Sequence, residues 1–199
     1  MTTTPREVLD FWFLPASDPG HGQPRDEWFD ATDAFNDELR RRFEDATRQA
    51  RRGELDDWRA TAEGSLALLL LLDQVPRNLH GDGGDAFASD SLARTVTRDA
   101  LSRGLDQQVM SVARWFLYMP LMHSESLHDQ DLAVTLFTSL GDGPGNDESV
   151  KAAHAHRDVI ARFGRFPHRN RALGRTTTDE EEAFLATAPP PFGHGTPDD

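Results

Sequence analysis

Apolar residues recur along most of this chain every three or four positions, the spacing that lays one stripe along an α-helix. Phe35, Leu39, Phe43 and Ala46 form one such stripe, and Gly53 closes it. Thr4 stands directly before Pro5 and three residues before Glu7, the pattern of a capping box with proline at the first helical position, so a helix is predicted from there. Further helices are predicted from Trp58 to Gln74, Asp85 to Ser102, Asp106 to just before Pro120, Ser124 to Leu140 and Asn146 to Gly164. Pro76 and Pro120 are read as stops, because proline lacks the amide hydrogen that a helix interior needs. Thr178 caps a last short helix, with Asp179, Glu180, Glu181 and Glu182 at the positive end of its dipole.

No alternating stretch of strand length interrupts this pattern. The prediction is an all-α protein of about eight helices with short connections, an antiparallel array of helical hairpins lacking a strict repeat of about 34 residues. Residues 1–187 read as a single helical domain, with a Pro/Gly loop from Pro15 to Pro24. The run Pro189-Pro190-Pro191 opens a tail, 188–199, expected to be disordered.

Composition narrows the function classes. The absence of cysteine excludes disulfides, thiolate metal sites and a cysteine nucleophile. The N-terminus has no apolar signal core, and the longest apolar run, Leu66 to Leu72, is far short of the roughly 20 residues of a membrane span. A soluble, cytoplasmic protein is expected. Its net charge of −13 repels nucleic acid and anionic lipid alike, so neither is expected as a partner. That charge is uneven: Arg157 to Arg175 holds six arginines against the single acid Asp158, a local +5 that leaves the remainder at −18.

Three polar motifs stand out. Asp73-Gln74-Val75-Pro76-Arg77-Asn78 follows the most apolar helix; its plain reading is an Asp73–Arg77 pair and an Asn78 turn. Around Trp115 to Glu125 an aromatic helix runs through Tyr118 into Pro120, and His123 and Glu125 follow, an acid–base pair or simply the start of a helix capped by Ser124. Tyr118, the only tyrosine, needs a hydroxyl partner if buried. The third motif, Phe163 to Asn170 followed by Leu173-Gly174-Arg175, presents Arg165, His168, Arg169, Asn170 and Arg175. Guanidinium forks bind carboxylate or phosphate bidentately, so this is the chemistry of an anion clamp, or of arginines tying helices together through Asp and Glu. The Pro/Arg/Asn corners at 76–78 and 167–170 echo each other. His154 and His156 are two apart on a helix and point to different sides, and His123, Glu125 and His128 lack zinc-hydrolase spacing, so no metal and no cofactor are expected.

Together these residues resemble an uncharacterised, mainly bacterial family, domain of unknown function 924. The resemblance rests on Leu72 to Asn78, Tyr118-Met119-Pro120, His123-Ser124-Glu125, and His156 leading to Arg162 through Asn170, and it extends from Val8 to the helix around Glu181 to Leu185. Val75 stands where an aromatic residue is expected. The resemblance implies a tetratricopeptide-like helical fold and no particular activity.

The leading expectation is a small-molecule site for a carboxylate or phosphate. Arg77, Arg165, Arg169 and Arg175 would hold the anion, Asn78 and Asn170 would orient it, and His123 and His168 would exchange protons, with Glu125 fixing an imidazole tautomer. Asp73, Gln74, Tyr118 and His156 complete the candidate set. Asp73 and Glu125 neutralise two arginines, and the surplus positive charge is what points to an anion. The alternative is a tetratricopeptide-like module gripping an acidic peptide or a C-terminal carboxylate in an Arg-lined groove. A third reading has every arginine neutralised internally.

Overall fold

The computed structural model describes residues 3–81 and 83–192. The protein is all-α: nine α-helices and no strand occur among the described residues. They are α1 (Pro5–Phe13), α2 (Asp33–Arg51), α3 (Ala62–Leu69), α4 (Val75–His80), α5 (Asp90–Ser102), α6 (Ser111–Met122), α7 (Leu127–Thr138), α8 (Asn146–Phe163) and α9 (Asp179–Thr187). The capping box predicted from sequence, Thr4 with Glu7, opens α1, and Thr178 caps α9 as expected, with Glu181 completing a second capping box. From α5 to α8 each helix packs on the next in sequence, as short connections between antiparallel neighbours require. None of the helices described is long and apolar enough to cross a membrane.

The core centres on the run Leu66 to Leu72, whose members are each 3 % exposed or less. Burial of each leucine is worth roughly 1.5–3 kcal/mol, so this segment anchors everything built on it. Trp12, Phe13, Trp28 and Phe116 pack edge-on and stacked against one another at one end, and Trp28 Nε1 donates to the Trp12 carbonyl at 2.8 Å. Gly64 is required where α3 crosses the turn at Asp56–Ala60: a Cβ there would lie 2.0 Å from the Trp58 carbonyl oxygen.

Both predicted proline stops are overrun. After α3 the chain widens into one π-helical turn, Leu70–Gln74, closed by the Val75 amide on the Leu70 carbonyl, and α4 continues directly through Pro76. The missing Pro76 amide would have bonded the Leu72 carbonyl; the Ser89 hydroxyl takes that carbonyl instead, at 2.7 Å. Likewise α6 runs through Pro120 to Met122, and α7 starts at Leu127 rather than Ser124. Ser124 caps nothing in the expected way; its hydroxyl donates to Asp129 and accepts from the Ser126 amide.

The expected disordered tail began at residue 188. Residues 188–192 are instead packed: Ala188 and Phe192, each 7 % exposed, join Val159, Ile160 and Phe166 in a second, small apolar cluster. Residues 193–199 of that expected tail lie outside the described residues.

Candidate functional site

The π-helical turn carries Asp73 into the interior, where its side chain is 1 % exposed. Its carboxylate lies 3.0 Å from Arg77 Nη1 and 2.9 Å from His123 Nδ1, and it accepts Gln74 Nε2 at 2.5 Å. Burial alone would raise the proton affinity of this acid, but Arg77 and His123 outweigh it and keep Asp73 ionised, well below the usual carboxylate range. A carboxylate only accepts, so His123 Nδ1 carries the hydrogen and Nε2 keeps its lone pair. Burial first, and Arg77 next, push the proton affinity of His123 down despite Asp73, which favours the neutral imidazole. Glu125, expected to orient an imidazole, does not do so; Asp73 fills that role for His123.

Arg77 continues the chain of contacts. Its second nitrogen, Nη2, meets both oxygens of Asp90 at 3.1 and 3.2 Å, and Asp90 also accepts Arg169 Nη1 at 3.2 Å. The two Pro/Arg/Asn corners therefore meet on one carboxylate. Arg169, 6 % exposed, is clamped between the rings of Phe87 and Phe166 at 4.6 and 4.5 Å. Burial and then Arg77 lower its pKa to about 10, which leaves it protonated at neutral pH.

Beyond Phe166 lies a second half of the network. Glu125 accepts the Phe166 amide at 2.8 Å and Arg175 Nη1 at 2.7 Å, while Arg175 Nη2 donates to the Phe166 carbonyl at 2.9 Å. Arg165 forks onto Glu181 at 2.6 and 2.8 Å, and Asn170 donates to the same carboxylate at 3.2 Å. The expected surplus of positive charge is absent. Asp90 and Glu181 join Asp73 and Glu125, so four guanidiniums face four carboxylates.

What remains unspent is imidazole. The His123 and His156 rings are 6.0 Å apart between centroids, His156 lies 5.7 Å from Phe166, and Phe166 lies 5.5 Å from His168. Phe192 covers the group, 4.7 Å from His156 and 6.0 Å from His168. His156 Nδ1 is 2.8 Å from the Ala152 carbonyl, another pure acceptor, so its Nε2 also keeps a lone pair. Burial, then His123, lowers the His156 pKa to about 3; burial, then Arg169, lowers that of His168 to about 4. His168 Nδ1 and Arg169 Nε are buried with no hydrogen-bond partner among the described residues. No three His, Asp or Glu side chains among the described residues are placed to share a metal ion.

Of the candidate residues, Asp73, Gln74, Arg77, His123, His156, His168 and Arg169 converge. Glu125, Arg165, Asn170 and Arg175 form the adjoining half. Two do not join: Tyr118 donates its hydroxyl to Asp106 at 2.8 Å, and Asn78 pairs with Asn36 at 3.1 Å. Sequence reasoning missed Asp90 and Glu181, which it read only as a helix-forming residue and a dipole-favouring charge. It also missed Phe192, whose one available signal was an aromatic residue at the end of a proline run.

The comparisons agree with this architecture. The family of bacterial proteins of unknown function DUF924 matches residues 8–189. A solved structure of a protein of unknown function from Agrobacterium tumefaciens is 41% identical, covering 91% of this chain and 96% of that one, with a TM-score of 0.81. Among curated proteins, none matches. With nearly its whole length matched, the chain belongs to the DUF924 family of bacterial proteins of unknown function.

Proposed function

We propose that this protein binds a small anion, a carboxylate or phosphate, against His123, His156 and His168 and exchanges a proton with it. The observation that carries this reading is the meeting of three uncharged imidazoles beside Arg169. Arginines paired to carboxylates stabilise a fold; neutral imidazoles with free lone pairs can take up a proton once a bound anion raises their proton affinity. The Asp73–His123 pair adds the orienting carboxylate that fixes a tautomer and stabilises the imidazolium formed when Nε2 takes a proton. The anion preference rests on Arg169. Burial is the first cause of the lowered proton affinity at all three histidines, and the Arg169 charge adds to it, opposed by Asp73 at His123 and by Glu125 at His168. Arg169 Nε and His168 Nδ1 are both buried without a hydrogen-bond partner among the described residues.

An anion seated there would raise the proton affinity of the histidines, so binding would take up protons and tighten as pH falls from 7 to 5. The test is a titration with phosphate and with acetate, followed by the imidazole ring signals in NMR at both pH values. Shifts confined to these three histidines, with tighter binding at pH 5, are expected. Ring signals that do not move, or affinity that falls as pH falls, would overturn the proposal. His123→Ala should abolish proton exchange with the ligand and keep the fold, since Asp73 retains Arg77.

A further inference from the structure

A groove of about 690 Å³ lies between α8 and the C-terminal segment, next to the histidines. Its walls are apolar and aromatic: Ala155 and Val159 on α8, Phe163 at its end, Phe184 on α9, and Phe192. The charges at its rim are paired, Lys151 with Glu148 at 2.8 Å, Arg162 with Glu180 at 3.0 Å and Asp158 with Arg157 at 3.7 Å. It therefore offers nothing to hold a charge and much to hold an uncharged apolar body, and its volume is that of a small-molecule site. It is also continuous with the imidazole cluster, because His156 and Phe192 line both.

Phe192 is held lightly. Among the described residues, segment 188–192 makes only local hydrogen bonds, Ala188 N to Phe184 O and Phe192 N to Pro189 O. Its remaining attachments are Ala188 in the small apolar cluster and the packing of Phe192 on His156, His168 and Phe166.

We infer that this groove is the second half of the ligand site, and that the ligand is an amphipathic anion. Its aliphatic or aromatic body lies along α8, and its carboxylate or phosphate reaches His156 by displacing Phe192. This rests on the acid–base reading of the histidines and names the substrate class for it.

The experiment compares octanoate with acetate on the full chain, by calorimetry and by the histidine ring signals. Each methylene buried in the groove tightens binding about four-fold, so octanoate, with half of its six extra methylenes buried, should bind on the order of 100-fold more tightly than acetate. Ala155→Trp, at an exposed position of α8, fills the groove and should remove that advantage while leaving acetate affinity unchanged. Ala152→Phe narrows the same groove and serves if the first variant misfolds. Octanoate no tighter than acetate, with acetate still shifting the histidines, overturns the groove inference and leaves the acid–base reading standing. Octanoate binding that neither variant weakens places the apolar site elsewhere and overturns it too. If neither acid moves the histidine signals, both readings fall.

Discussion

Two neighbouring groups of polar side chains differ in what they have left to do. Each arginine is paired with a carboxylate: Arg77 with Asp73 and Asp90, Arg169 with Asp90, Arg175 with Glu125, Arg165 with Glu181. The histidines beside them are less committed. His123 and His156 each commit one nitrogen, and His168 Nδ1 commits none. The physical difference is the cost of charge. A guanidinium cannot shed its proton at neutral pH, so burying it demands a carboxylate; an imidazole avoids the same cost by staying neutral, which leaves a lone pair available. A cluster that looked in sequence like an anion clamp thus divides into a structural tie and a reactive remainder.

The division is most severely strained at Asp90, the only carboxylate here shared by two of the arginines, Arg77 and Arg169. Asp90→Ala strands Arg169 without its acid and should cost about 3–5 kcal/mol, as breaking a buried pair does. Denaturant unfolding measures it; a loss below about 1 kcal/mol would mean the arginines do not hold the corners together.

The histidines predict a pH dependence of definite sign. In the unfolded chain they protonate near the ordinary histidine pKa of about 6.5. In the folded protein His168 waits until about 4 and His156 until about 3. Between those limits the unfolded state binds the extra protons, so stability is full above pH 6.5 and falls as pH falls, by about 1.4 kcal/mol per pH unit for each histidine. His123, shifted in the same direction, adds to the slope. Replacing His156 and His168 with leucine should flatten the curve between pH 6.5 and 5; an unchanged slope would show that these imidazoles are already charged.

A smaller effect is expected at the outer end of the network. Arg165 is partly exposed, and its loss leaves Glu181 with Asn170, Thr178 and water. Arg165→Ala should lower the denaturation midpoint less than Asp90→Ala does, and should leave phosphate binding at the histidines intact. Loss of that binding without loss of stability would return Arg165 to the ligand site.

Local chemistry determined a good deal of this protein from sequence alone. The stripe from Phe35 to Ala46, the helix caps at Thr4 and Thr178, and the glycine that closes α8 are decided by residues a turn or two apart, and all stand where their spacing puts them. The convergence of Arg77, His123 and Arg169 was also legible, because their motifs recur about one helical hairpin apart. Tertiary structure alone decided the rest. Pro76 became a continuation because the Ser89 hydroxyl, 13 residues on in sequence and adjacent only in the fold, takes the carbonyl that proline leaves open. Tyr118 turned to Asp106 and Asn78 to Asn36, partners that no local pattern names. Which carboxylate meets which arginine depends on where helices far apart in sequence come to rest. The charge balance that separates a clamp from a tie is fixed only when the core closes.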